Sequence, residues 1–159
     1  MKKPPSIKSA RITAHAHVEI TWTTNETYLL DLSGVLQPKG KDDPYSALSN
    51  PEEFAKMTAD DWGDGLDWPD GLSLGADMLY DLCREQAGLI TVSAFNDWMQ
   101  RNKLSLASAA ESLGMTRRMI AYYRTGSRPI PKVVGLACKG WEAEHTRSNI
   151  RPPARANQA

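Results

Sequence analysis

The sequence predicts an α+β protein in two parts. A small N-terminal α+β domain with antiparallel strands spans residues 1–87, an all-helical domain spans 88–145, and a basic tail, predicted to be disordered, covers 146–159. Three observations carry this reading. Residues 7–32 look like β structure, with HVEITW (17–22) alternating polar and apolar side chains at the period of two that a half-buried strand requires. Residues 94–141 instead repeat apolar side chains at the i, i+3, i+4, i+7 spacing of a helix face. Charge divides along the same line. Residues 1–85 hold 15 acidic and 8 basic residues, a balance of −7, and residues 86–159 hold 4 and 11, a balance of +7. The formal net charge of zero thus conceals two modules of opposite sign.

The elements follow in order. IKSARITA (7–14) and HVEITW (17–22) predict two strands, TTNE (23–26) a turn, and TYLLDL (27–32) the returning strand. A loop is expected around 37–44. Asn50 is an N-cap candidate before Pro51 and the acids Glu52 and Glu53, so a short helix is expected to about Met57. DDWGDGLDWPDGLSL (60–74) predicts two short strands with tight turns, the last at Trp68–Gly71. ADMLYDLCRE (76–85) predicts a helix with Met78, Leu79, Leu82 and Cys83 on its buried stripe, ended by Gly88. The second half predicts four helices. Phe95, Trp98 and Met99 form one apolar face, and Leu106, Ala109, Ala110 and Leu113 another. A third helix runs over 116–124 between a Thr116 cap and Gly126. The fourth, over 131–145, offers Val133, Val134, Leu136, Ala137 and Trp141 as its apolar residues.

Composition excludes several classes. In 159 residues no apolar run approaches the ~20 that span a bilayer. The opening MKKPPS leads into no apolar segment of the kind a signal peptide needs. Cys83 and Cys138 lie outside any Cys-x-x-Cys spacing and read as small buried hydrophobes of a reduced, cytoplasmic protein. The acids Asp60, Asp61, Asp64, Asp67 and Asp70 alternate with Gly, Trp and Pro at a spacing foreign to an EF-hand, so they read as turn formers. His15 and His17 are expected on one strand face without a third metal ligand, and Trp22, Trp62 and Trp68 in a core or lining a pocket. The sequence holds no Ser-His-Asp signature and no glycine-rich phosphate loop. A binding protein without a cofactor is therefore expected, not an enzyme.

The chemistry concentrates in GMTRRMIAYYRTGSRPIP (114–131). A helix-turn-helix needs a small residue where its second helix crosses the first, a residue tolerant of positive φ in the turn, and an apolar anchor packing back. Ala110, Gly114 and Ile120 meet these needs at matching offsets, and Leu113, Met115 and Tyr123 supply further core contacts. Arg117, Arg118, Arg124 and Arg128 fall in a stretch without an acid between Glu111 and Glu142, which has the sign to approach a polyanion.

On these residues, Leu104–Trp141 resembles the helix-turn-helix of the lambda-repressor-like (XRE, Cro/C1-type) family. The resemblance implies duplex DNA as partner, with the helix from Thr116 reading the major groove through Arg117, Arg118, Ala121 and Tyr122. Arg is suited to bidentate bonds with guanine, and Tyr122 to a phosphate or a thymine methyl. Ser105, at the N-terminus of the preceding helix, and Arg128, in the following loop, are expected on phosphates. The chain departs from the family at Arg124, where an acid is usual, and at Met99, where its basic partner is usual.

The first half resembles the bacterial domain of unknown function 2442. The marks are Leu30-Asp31-Leu32, Tyr45-Ser46-Ala47-Leu48, Pro51-Glu52-Glu53-Phe54 and WPDGLSLGADMLY (68–80). The resemblance implies a small α+β domain that dimerises or binds a protein partner or a small effector. Together the two resemblances imply a bacterial transcriptional regulator, acting as a homodimer because one recognition helix reads only a half-site. The competing expectation is an adaptor or antitoxin-like component whose helix-turn-helix does not touch DNA.

Overall fold

A computed structural model describes residues 5–150. Its backbone divides into two compact units with the boundary between Gly88 and Leu89. Together they hold seven α-helices, one 3-10 turn and two three-stranded antiparallel sheets among the described residues, an α+β composition.

In the first unit, β1 (Ile7–Ala14), β2 (His17–Trp22) and β3 (Thr27–Asp31) form one sheet in sequence order. The alternation written in the sequence sets its faces. Val18, Ile20, Trp22 and Leu30 are buried, and Glu19, Thr21 and Leu29 turn to the other side. Helix α1 (Ser33–Leu36), a 3-10 turn over Pro44–Ser49 and α2 (Pro51–Phe54) follow. The Asn50 side chain accepts from the Glu52 N–H, as an N-cap does, but α2 ends at Phe54, short of Met57. The second sheet joins β4 (Thr58–Ala59), β5 (Gly65–Asp67) and β6 (Ser73–Gly75). Gly65 is there for contact: a Cβ on it would lie 2.6 Å from the Leu74 carbonyl oxygen. Helix α3 (Ala76–Gln86) closes the unit, and the Gln86 amide bonds both backbone groups of Asp31 on the edge strand β3.

Several expectations for this half are corrected. The buried stripe of α3 is Ala76, Leu79, Tyr80 and Cys83, whereas Met78 is exposed and Leu82 half-buried. Tyr80 displaces Met78 because its ring packs edge-on against Trp22, 5.0 Å between centroids. His15 lies in the β1–β2 turn and does not share a strand face with His17; its Nε2 bonds the Leu48 carbonyl. Trp22 and Trp68 are core residues, but Trp62 stands 81% exposed in a loop held by the Asp60 carboxylate.

The unit also contains a polar network that the strand and helix patterns do not announce. Arg84, 3% exposed, pairs through Nη1 with Glu26 Oε2 at 3.3 Å. The Glu26 carboxylate accepts further bonds from Thr24 (2.7 Å), Tyr80 (2.8 Å) and Tyr28. Burial alone raises the Glu26 pKa, but the bonds from Tyr28, Thr24 and Tyr80 and the Arg84 charge outweigh it and hold the group below its ordinary value.

The second unit is helical: α4 (Val92–Arg101), α5 (Leu106–Leu113), α6 (Arg117–Thr125) and α7 (Lys132–Ile150). Helix α4 begins two residues before the expected start because Thr91 caps it. Phe95, Trp98, Met99, Ala109, Ala110, Ile120, Tyr123, Ile130, Val134 and Cys138 form its core. Glu142 binds Arg101 and Asn102, which ties α7 to α4 and holds the Glu142 carboxyl below its ordinary pKa. Helix α7 carries two corrections. It buries Val134, Gly135 and Cys138, while Val133 and Leu136 are 69% and 56% exposed and Ala137 is exposed as well. It also continues through residues 146–150, which were expected in the tail. The rest of the expected tail, 151–159, lies outside the described residues.

Candidate functional site

The site is built on α6 and both of its ends. Gly114 closes α5 in the left-handed region, φ 66° and ψ 36°, where an L side chain is strained. Its N–H and that of Met115 turn back to the Ala110 carbonyl, the latter at 2.8 Å. Thr116 then takes an extended backbone, and its hydroxyl accepts from the Met119 N–H at 3.2 Å. The turn between two helices is thereby fixed by sequence at Gly114 and Thr116. Ile120 and Tyr123, one turn apart, anchor α6 in the core, Tyr123 edge-on to Phe95 at 5.9 Å. At the far end Gly126 (φ 74°) caps α6, the Ser127 N–H bonds the Tyr122 carbonyl at 2.9 Å, and buried Ile130 pins the loop.

This anchoring leaves Arg117, Arg118, Arg124 and Arg128 exposed and Ala121 and Tyr122 half-buried. The two adjacent tyrosines therefore divide, Tyr123 inward and Tyr122 toward the basic face. Tyr122 is more than a contact residue. Arg118 Nε donates to its hydroxyl at 2.6 Å, and the Arg118 and Arg128 guanidinium carbons lie 5.5 and 4.6 Å from its ring centroid. One ring thus holds two cations, one from the first turn of α6 and one from the loop after it. The Arg118–Tyr122 bond was legible in principle, since i and i+4 are neighbours on a helix; Arg128 comes from beyond the helix, and no spacing rule gives its place.

The electrostatics of this end run against local helix stability. The first turn of α6 has no acid and carries Arg117 and Arg118 at the end where the helix dipole is positive. Each misplaced cation costs a few tenths of a kcal/mol, a cost that an anion in front of the helix would reverse.

The remaining candidates behave differently. Ser105 is exposed, but its hydroxyl and N–H are engaged with Ser108 in a reciprocal cap at 3.1 and 2.8 Å. It orders the start of α5 before any ligand arrives. Arg124 has no ion pair among the described residues and stands at the rim of an open groove of about 510 Å³ floored by Met99, Leu104 and Leu106. That groove shares Ala121 with the basic face but none of the Arg118, Tyr122 and Arg128 cluster.

No family model and no curated protein matches the chain. A solved structure does: a putative DNA binding protein from Nitrosomonas europaea is 35% identical, with a TM-score of 0.70, over 97% of this chain and 98% of that one. The chain belongs to the family of that protein. The match spans both units.

Outside α6 the described residues offer less. No cluster of three His, Cys, Asp or Glu side chains is placed to hold a metal ion. No helix is long and apolar enough to cross a membrane.

Proposed function

We propose that this protein binds duplex DNA sequence-specifically and acts as a transcriptional regulator, with α6 in the major groove. The helical unit is then a lambda-repressor-like helix-turn-helix domain. The first unit, of the kind called domain of unknown function 2442, is then the part that receives a protein partner or a small effector. One observation carries the reading. Four arginines surround the only outward face of a helix whose opposite face is locked in the core, and two of them are held on Tyr122 before any ligand binds. Holding the side chains in advance lowers the ordering cost of association. The relative from Nitrosomonas europaea supports the same reading by its name.

The roles divide by position. Arg117, Arg118, Ala121 and Tyr122 face base edges, and Arg118, with Nε committed to Tyr122, offers its two terminal nitrogens to guanine. Arg128 contacts phosphate, and the backbone behind Ser105 supplies a second phosphate contact.

Selection from a random duplex library with the purified chain tests the proposal and returns the operator in the same experiment. Arg117→Ala and Arg118→Ala are expected to relax preference at single base pairs, by about 1–3 kcal/mol each. Arg128→Ala is expected to weaken all sequences alike and to reduce the slope of log K against log salt by about one. Absence of duplex binding even at low salt would sink the proposal and leave a protein–protein adaptor.

A further inference from the structure

Helix α3 has two apolar stripes, and the core of the first unit takes up one of them. Ala76, Leu79, Tyr80 and Cys83 are buried in it. Met78 and Leu82, one turn apart, instead line an open groove of about 400 Å³ together with Val35 of α1. Met78, 38% exposed, is one of five large apolar side chains left exposed among the described residues.

Beside this stripe runs a row of acids. Asp77, Asp81 and Glu85 follow one another at intervals of four residues and line the same groove. None has an ion-pair partner among the described residues, and Arg84, the basic residue of α3, turns inward to Glu26. The helix gains from only one of the three charges. Asp77 stands in the first turn, where the dipole favours an anion. Glu85 stands in the last turn, where the dipole opposes one, and like charges at i, i+4 weaken a helix. Burial, and after it the charges of Glu85 and Asp77, raise the Asp81 pKa against the pull of Arg84. The chain's own packing thus explains neither the exposed methionine nor the acids next to it.

We propose that this groove is the docking site of a basic amphipathic helix of another protein, with an apolar side chain seated against Met78, Leu82 and Val35 and with Lys or Arg residues facing Asp77, Asp81 and Glu85. The proposal rests on the reading of the first unit as the part that receives a partner, and it names that partner's chemistry and seat. The sign of the rim excludes nucleic acid and an anionic membrane, and two copies of this face would oppose acid to acid. Among the described residues no three such side chains gather to hold a metal ion. They are spread along about 12 Å of helix, which suits cations carried at the same four-residue interval on a second helix. Methionine is the apolar side chain that adapts most readily to a partner's surface. One helix in an open groove buries less than a standard interface, so micromolar affinity is expected, falling with salt.

Selection from a library of random peptides on the immobilised full chain, without DNA, tests this. The baits are the wild type and the double variant Asp81→Asn/Glu85→Gln, which removes two charges that α3 itself does not favour and is expected to remain folded by circular dichroism. A class of peptides with Lys or Arg every three or four residues beside an apolar residue is expected to be enriched on the wild type and to bind the double variant about tenfold more weakly. For a synthetic peptide of that class, Met78→Ser is expected to weaken binding about threefold or more. Asp42→Asn, Asp61→Asn and Asp70→Asn together, at exposed acids elsewhere in the unit, are expected to change it less than about twofold at the same salt. If no enriched peptide distinguishes the two baits, the proposal fails. Peptides that bind both baits alike but are lost on the three-site variant would move the partner elsewhere on the first unit, which overturns the groove and keeps the partner-binding reading. Peptides that distinguish the baits without carrying basic residues overturn the occupant. A Met78→Ser chain that binds as the wild type does reduces the contact to diffuse charge attraction and overturns the docking site. No arm uses DNA, so failure here is distinct from failure of the DNA-binding proposal.

Discussion

Glu26→Gln gives the sharpest test of how the first unit is held together. The substitution keeps shape and removes charge. It withdraws the carboxylate that accepts from Thr24, Tyr28, Tyr80 and Arg84, and so deprives a guanidinium only 3% exposed of its ion-pair partner. Breaking a buried pair from one side costs about 3–5 kcal/mol. The Glu26 side chain keeps 22% exposure, and the new amide still accepts one tyrosine bond, so water and geometry recover part of this. About 2–3 kcal/mol remains, which for a unit of this size lowers the midpoint of thermal unfolding by roughly 8–20 °C. The indole resonance of Trp22, stacked edge-on against Tyr80 within the network, reports urea unfolding of this unit separately from the helical one. Pairing Glu26→Gln with Arg84→Met is expected to be less damaging than Glu26→Gln alone, because no charge is then left buried without its partner. A loss under about 0.5 kcal/mol for Glu26→Gln, or simple addition in the double variant, would refute this account of the network, since surface-like changes have effects of that size.

Other expectations follow from the same geometry. Because the folded-state pKa of Glu26 is depressed, its contribution is complete above the unfolded value of about 4.5 and is lost as pH falls through the folded value; stability of the first unit measured against pH is expected to fall in that acidic range, and Glu26→Gln to flatten the curve there. Gly126→Ala forces a side chain into φ 74° and is expected to cost about 1–2 kcal/mol in helical-unit stability by urea titration. Burial pushes the thiols of Cys83 and Cys138 up to about 11, so a disulfide reagent is expected to label both slowly in the native protein and quickly after unfolding. Tyr122→Phe keeps the ring under Arg128 and removes the Arg118 bond; binding-site selection is expected to show weaker guanine preference with nearly unchanged salt dependence.

What the sequence revealed depended on whether a rule of period or of caps applied. The strands over 7–14 and 17–22 and the helix over 106–113 have the limits that alternation and helical spacing imply, because each buries a single face. Asn50, Thr116, Gly114 and Gly126 do as their side chains or lack of them dictate, since a cap is a local event. The errors lie where a choice between faces was needed. In α7, apolar residues occur on both sides, and Val133, Leu136 and Ala137, expected among its apolar residues, are exposed, whereas Cys138 is buried as expected. In α3, Tyr80 won its place over Met78 through Trp22, a residue 58 positions earlier. Trp62 was expected in a core or lining a pocket, but the Asp60 carboxylate fixes the backbone of its loop and leaves the ring in water. The Glu26 network and the seat of Arg128 are long-range arrangements, and no local pattern contains them.

The same distinction bears on α6. A helix intended only to pack would gain from an acid in its first turn and would have no need of tyrosine at 122. Here the first turn is Arg-Arg, and Tyr122 spends its hydroxyl and its ring on cations that are already exposed. Both guanidiniums lie against one ring and both are exposed, so a polyanion has access to each of them. The local rule for a helix's first turn is the one that yields in the helical unit, at Arg117 and Arg118, and this is what the proposed DNA-binding role accounts for.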